Sequence, residues 1–467
     1  MKIKLGLGEC NMARVAEFCG GELRDLTRDA THSFEYVCTD SREADENTMF
    51  VATRGERVDG HDYIIKAMEL GCKCVLCEYV PENVSGKSAA FAVVENSIDA
   101  FALCAKGYRG ERYMPSVAIT GSVGKTTTKE MTAAILRLSK KTYCTEGNFN
   151  SVIGMPMSLM QADGKCECAV FEMGMSGFGE IRSMTKAANP TVAMVTNIGS
   201  SHLEYLKTRE NIARAKLEIG EGIIDGGYLI LNGDEPLLRD HYSDRYDTLY
   251  VGFGDDCGFH ISNARVEADG THFDLRLGCY GYIFDLYIPL YGKQFAYNAA
   301  FAASAAYLFG ASESEIREGL AGYTAGKMRM NVSKKDGVTV IADCYNAAPE
   351  SMMAALDALS SMKVEGRRIA VLGDMKELGD NSEIMHINVG KYAAIKGIDL
   401  LITVGELARK IAEGALMSGI SNVICFNPGD HDAAAARLKS ELGEGDHVLF
   451  KASRSMAFEN IIEKTFN

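Results

Sequence analysis

The chain has 467 residues, of which 47% are hydrophobic and 24% charged, the proportions of a soluble globular protein; collagen-like, disordered and disulfide-scaffold classes are excluded. At roughly 150 residues per domain this length predicts about three domains, each able to bury its own core. The 49 Lys and Arg against 63 Asp and Glu leave a net charge of −14, which argues against a binder of nucleic acid or anionic membrane but permits one local basic pocket.

No apolar run approaches the roughly 18 residues of a membrane span, and the start, MKIKLGLGECNMARVAEF, lacks a signal-peptide pattern. The expectation is a cytoplasmic protein. The first 110 or so residues give short mixed elements: TMFVATRG, the helical DYIIKAMELG, the strand KCVLCEYV, and SIDAFALCAKGYR. They read as a small α/β domain ending near GYRGERYMP. The 14 cysteines are scattered. Cys74 and Cys77 form a CxxC, but a strand points them to opposite faces and no second pair stands nearby, so they read as buried thiols rather than metal ligands.

After Pro115 the pattern changes. SVAIT is an apolar strand, GSVGKTT a Gly-rich turn, and KEMTAAILRL a helix with Met131, Ile135 and Leu138 on one face. Strand candidates follow in ECAVFEM, TVAMVTNI, YLILN and TLYVGF with helical segments between several of them, the signature of a parallel sheet with crossover helices. From about Cys257 to Pro289 the alternation predicts an antiparallel hairpin added to that sheet. A second alternating series begins near Gly337 and ends in HVLFKAS and a final helix, which predicts a doubly wound, Rossmann-like domain. The fold class is thus α/β with three domains, placed at residues 1–113, 114–325 and 326–467, and Thr324–Asn331 is the expected hinge.

The strongest local motif is Gly121-Ser122-Val123-Gly124-Lys125-Thr126-Thr127, between a strand and a helix. Backbone N–H groups in such a turn form an anion nest; the Lys reaches the outer phosphates and the next Thr hydroxyl can meet Mg²⁺. Ile119 stands where the full pattern has its first Gly. Glu172, at the end of a neighbouring strand, offers an anionic oxygen where α/β sheets present ligand groups; taken alone, such a Glu is also an ordinary solvated strand end. His202 closes TNIGSSH and reads either as a hydrogen-bonded structural residue or as a metal ligand. Lys216 lies between Ile212, Ile219 and Ile223 on one helical stripe, so it must either snorkel or have a specific partner.

Read in order, these features resemble the Mur ligase superfamily. The matching segments are TDSREADENTMFVATRGERVDGHDYI in the first domain; TGSVGKTTTKEM, EGNFNSVIGMP, FEMGMSGFGEI, NIGSSHLEYLKTRENIARAKLEI and YGKQFAYNAAFAA in the second; and GVTVIADCYNAAPESMMAALDAL, RRIAVLGDMKELG and GDHVLFKASRSMAFE in the third. The resemblance implies a cytoplasmic, ATP-dependent ligase that joins D-alanyl-D-alanine to UDP-N-acetylmuramoyl-tripeptide through an acyl phosphate, serving peptidoglycan synthesis and through it cell shape and division. It implies that Gly121 to Thr127 cradle ATP, that Thr126 and Glu172 hold one Mg²⁺, and that His202 and Lys216, the latter as a carbamate, serve a second. Asn298 is implied at the adenine. Arg329, Asp343, Tyr345 and Asn346 are implied to close on ATP from the last domain. Lys125, His202, Lys216 and Arg329 form the implied catalytic set. Ser41, Arg42 and His61 match segments that hold the UDP-sugar, and Asn148 and Asn150 a segment near the substrate.

The implied partners are small molecules only, with neither nucleic acid nor membrane insertion, and the chain is expected to act as a monomer. Two segments depart from the family pattern: Gly292-Lys293-Gln294-Phe295 replaces a GRHN-type run, and Tyr345-Asn346-Ala347-Ala348-Pro349 replaces YNANP. The competing readings are another amide ligase of the superfamily, such as a muramyl-peptide ligase or a folylpolyglutamate synthase, and a regulatory P-loop NTPase without ligase activity.

Overall fold

A computed structural model describes residues 1–26, 32–55, 58–84, 88–110, 114–278 and 281–467. Glu56 and Arg57 of the GERVDGHDY segment, and residues 111–113 at the expected first domain boundary, lie outside the described residues.

Among the described residues three large sheets follow one another along the chain, and a fourth, two-stranded one pairs Cys10–Asn11 with Ser33–Phe34. The first has six strands in the order Lys2–Lys4, Tyr36–Cys38, Thr48–Val51, Cys74–Cys77, Ala90–Val93 and Glu22–Asp25, parallel in the middle and antiparallel at both edges. Cys74 and Cys77 are both buried, and they join different apolar clusters on its two faces. Burial pushes the Cys77 thiol up to about 12 and Cys74 higher still. These thiols therefore pack as small apolar groups.

The central sheet has nine strands. Strands Thr142–Cys144, Cys168–Glu172, Ser116–Thr120, Val192–Val195, Tyr228–Asn232 and Asp247–Gly252 run parallel in that spatial order. Alternation along each strand feeds two cores: Val117 and Ile119 face one, Ala118 the other; Val170 faces the first, Ala169 and Phe171 the second. The Cys257–Pro289 region differs from the expected hairpin. It forms three strands, Phe259–Val266, Thr271–Leu277 and Tyr282–Ile288, the first parallel to Asp247–Gly252 and the rest antiparallel. Ile283, Leu286 and Ile288 bury their side chains in the central core, so the third strand adds apolar area that a two-stranded ribbon would lack.

The last sheet has six strands in the order Asn331–Lys335, Val338–Ala342, His447–Lys451, Arg368–Gly373, Leu400–Val404 and Val423–Phe426. All are parallel except the first, an edge strand hairpinned through Asp336 and Gly337, both at positive φ. The expected hinge thus runs straight into a strand.

One apolar cluster joins Ile3, Leu5, Val15 and Phe101 of the first sheet's layer to Met155, Met160, Phe171 and Ile181 of the central layer. Each such side chain contributes about 1.5–3 kcal/mol when buried, which fixes the first layer on the central one. A second cluster joins Met131, Ile135 and Phe301 to Met352, Leu356 and Leu372 of the last layer. The last layer is accordingly docked.

Candidate active site

Strand Ser116–Thr120 is the switch point of the central sheet, with Cys168–Glu172 on one side and Val192–Val195 on the other. Ligands bind at the carboxyl ends of strands at such a point. The Gly-rich turn leaves that strand and runs into helix Lys125–Leu136, four residues earlier than the apolar stripe alone predicts. Gly124 allows it: its φ of +83 turns the chain directly into the helix, and a Cβ there would stand 2.8 Å from Asn298 Oδ1.

The turn is held from the next strand end. Asn197 Oδ1 accepts the N–H groups of Ser122 (3.1 Å) and Val123 (2.9 Å), and Thr196 Oγ1 donates to the Val123 carbonyl (2.7 Å). Lys125 curls back to donate to the Gly121 carbonyl at 2.7 Å. Burial lowers its pKa, Glu172 opposes that shift, and Arg329 adds to it.

Glu172 is 3% exposed, so it is not a solvated strand end. Its Oε2 accepts from Thr126 Oγ1 at 2.8 Å and its Oε1 from Asn150 Nδ2 at 2.7 Å. A buried carboxylate touching the hydroxyl that follows the P-loop Lys is an oxygen donor set of the kind Mg²⁺ takes. Lys216 in helix Arg209–Leu217 is 2% exposed, which removes the snorkelling alternative. Burial drives its amine well below the ordinary lysine value, and the charge of Lys125 pushes the same way. His202, at φ +65, places Nδ1 2.7 Å from Glu377 Oε2 of the last domain.

One cavity of about 490 Å³ opens between the central and last domains. It gathers Ser122, Val123, Gly124, Lys125, Thr126, Thr127, Asn150, Glu172 and Asn298 with Arg329, Asp343, Tyr345 and Asn346. Gly121, Asn148, His202 and Lys216 stand outside its lining. Arg329 lies over the Tyr345 ring at 4.0 Å, and Asp343 Oδ1 accepts the Met330 N–H at 3.2 Å.

Sequence reasoning missed other lining residues. Asp234 accepts from Tyr297 Oη (2.6 Å) and from the Phe253 and Gly254 amides beside Asn298. Glu350 of the last domain reaches across to Ser200, accepting its N–H at 2.9 Å and its hydroxyl at 2.6 Å. Of the two departures, Gln294 donates to the Ala354 carbonyl (3.1 Å), and Ala348 begins a helix whose Ser351 hydroxyl accepts its N–H at 3.0 Å. The only signal for Asp234 and Glu350 was their place just after a strand or at a helix start.

Ser41, Arg42 and His61 belong to the first domain. Ser41 is buried at a turn; Asp40 accepts from Arg42 Nε at 2.9 Å. His61 uses both ring nitrogens, Nδ1 with Asp59 (2.6 Å) and Nε2 accepting the Glu78 N–H (2.9 Å), and stacks on Tyr79. It ties its own turn, at Asp59–His61, to the chain that leaves strand Cys74–Cys77.

A phosphate-cradling turn, a buried carboxylate beside it and a last domain closing over both define a three-domain α/β protein built to handle a nucleotide between its second and third domains. The chain belongs to the Mur ligase family. The model of the Mur ligase family catalytic domain matches residues 33–115, that of the Mur ligase middle domain 119–306, and that of the Mur ligase glutamate ligase domain 328–454. The chain is 37% identical to the UDP-N-acetylmuramoyl-tripeptide--D-alanyl-D-alanine ligase of Bacillus subtilis, covering 96% of each. Among solved structures it is similar to MurF from Acinetobacter baumannii (TM-score 0.89, 27% identity, 99% of this chain and 100% of that one). It also matches the MurF ligase from Thermotoga maritima in complex with ADP (TM-score 0.81, 30% identity, 92% and 96%).

Proposed function

We propose that this chain joins D-alanyl-D-alanine to UDP-N-acetylmuramoyl-tripeptide at the expense of ATP, in peptidoglycan precursor synthesis. The observation that carries the reading is the cavity in which Lys125, Thr126 and Glu172 face Arg329, Asp343 and Tyr345. The relatives' names supply the substrates.

Making a peptide bond from a free carboxylate is uphill, so the acid must first be activated. The tripeptide's terminal carboxylate takes the γ-phosphoryl group of ATP, the bond to the bridging oxygen breaks, and ADP leaves. The dipeptide amine then attacks the acyl carbon, phosphate departs and the amine proton is lost. Two anions meet in the first step, and Lys125 and Arg329 supply the positive charge that lets them approach. Docking of the last domain excludes water from an acyl phosphate that would otherwise hydrolyse.

Bound Mg²⁺ adds charge neutralisation on the phosphates. Thr126 and Glu172 would hold one ion, and His202 with the carbamate of Lys216 a second. A buried, neutral amine is the form that reacts with CO₂, and the resulting anion suits a cation site. Asn298 is assigned to the adenine; Ser41, Arg42 and His61 to the UDP-sugar; and Asn148 and Asn150 to the peptide. Domains 1–113, 114–325 and 326–467 divide the work as sugar binding, ATP binding and closure with dipeptide binding. Among the described residues no helix is long and apolar enough to cross a membrane; we assign a monomer acting in the cytoplasm.

The test is product analysis with ATP, D-Ala-D-Ala and UDP-MurNAc-tripeptide carrying lysine or diaminopimelate as its third residue. Pentapeptide and phosphate should form together and require all three substrates. Phosphate release independent of both carboxylate and amine would instead establish a regulatory NTPase.

A further inference from the structure

Lys451 ends strand His447–Lys451 in the last sheet. The parallel register sets Phe450 opposite Ala342, so Lys451 and Asp343 leave the carboxyl edge side by side. Its side chain is 3% exposed. Nζ donates to Asp343 Oδ2 at 2.6 Å, to the Asn346 carbonyl at 3.1 Å and to the Asp343 carbonyl at 3.4 Å. An ammonium has three protons to give, and these acceptors all come from the segment that carries Asp343, Tyr345 and Asn346. Asp343 in turn receives the Met330 amide, next to Arg329. One buried cation therefore bonds two of the last-domain residues assigned to ATP, Asp343 and Asn346, on either side of Tyr345 in the chain.

Charge gives a second argument. Among the described residues lining the cavity there are five carboxylates, Glu172, Asp234, Glu235, Asp343 and Glu350, against three cations, Lys125, Arg329 and Lys451. A polyphosphate entering this space meets excess negative charge. Pairing with Lys451 makes the Lys451–Asp343 pair neutral overall, and with side chains only 3% and 16% exposed the two charges are weakly screened.

We propose that Lys451 is a positioning residue for the nucleotide, which holds Asp343 and the Tyr345–Asn346 segment in their binding arrangement and cancels the Asp343 charge toward the phosphates. The proposal rests on the assignment of this cavity to ATP. The experiment measures ADP affinity by calorimetry and KM for ATP in Lys451→Met, Lys451→Arg, Asp343→Ala and the double variant Lys451→Met/Asp343→Ala, with circular dichroism as the folding check. In Lys451→Met, ADP affinity should fall and KM for ATP rise at least tenfold, with a smaller fall in kcat, and KM for D-Ala-D-Ala should move less than twofold.

Lys451→Arg keeps the charge and should recover part of the loss. Because Lys451 acts through Asp343, removing it in the Asp343→Ala background should cost less than threefold more. ADP affinity within twofold of wild type in folded Lys451→Met, or fully additive losses in the double variant, would overturn the proposal. Should Lys451→Met not fold, Lys451→Arg decides, with wild-type ADP affinity in both Lys451→Arg and Asp343→Ala counting against it. ADP binding is read without turnover, so a wild-type protein that binds ADP but makes no peptide would sink the ligase reading and leave this test standing.

Discussion

At the scale of single residues, Lys216 shows how much burial adds to a pattern. Three isoleucines around a lysine are compatible with a side chain that bends out to water, yet the amine is sealed at 2% exposure and its proton affinity is depressed. A neutral amine is the nucleophile that captures CO₂, so the lowered proton affinity should let the carbamate form at lower pH than on an ordinary lysine. Incubation with ¹³C-bicarbonate should give a carbamate carbon resonance in wild type and none in Lys216→Met, with turnover reduced about 10²- to 10³-fold, the order seen when one transition-state stabilising group is removed. An unmodified, fully active Lys216→Met would refute the assignment.

Glu172 was legible by its place at a strand end. Its contact with Thr126 was not, because the two lie 46 positions apart and meet only through sheet order.

Elements are where the sequence was read most securely. The strands SVAIT, CAVFE, VAMV and YLILN stand where their apolar runs lie, since a strand buried on both faces has little freedom to be anything else. The strand Asn331–Lys335 was missed because its intermediate and exposed residues, NVSKK, carry no apolar signal.

The strand bearing Lys451 is anchored at its start by Asp446. That carboxylate accepts from the Arg367 guanidinium at 2.8 Å, the Arg367 amide at 2.7 Å and the Gly443 amide at 2.9 Å. Burial works to raise its pKa, but Arg367 and the amides prevail and the value lies below the ordinary 3.8. A carboxyl lowered on folding stabilises the native state above its unfolded value and loses that contribution as pH falls through the folded one. Asp446→Asn should therefore cost about 1–3 kcal/mol at neutral pH, from bonds left unmade. The gap to wild type should narrow below pH 3.8 in urea melts followed by circular dichroism.

At the scale of the molecule, closure of the last domain is the feature that composition could least foresee. Glu350 binds Ser200 across the interface, beside a Gly199 whose N–H donates to Ser122 Oγ at 2.8 Å. This latch joins the last domain to the P-loop itself. Glu350→Ala should enlarge the radius of gyration measured by small-angle scattering without nucleotide, and saturating ATP should restore the compact value. An unchanged radius would show that the apolar contacts around Met352 and Leu356 suffice.

The sequence by itself determined the α/β class, the phosphate-binding turn, the order of the buried parallel strands and the family, because strand burial, glycine geometry and motif order are local or sequential properties. Only the tertiary structure decided that Lys216 is sealed and that His61 ties its own turn to the chain that leaves strand Cys74–Cys77. It likewise joined Lys451 to Asp343 and Glu350 to Ser200. Those pairings depend on which strand ends the sheet order brings together, and on which side chains domain docking buries, neither of which is encoded by spacing along the chain.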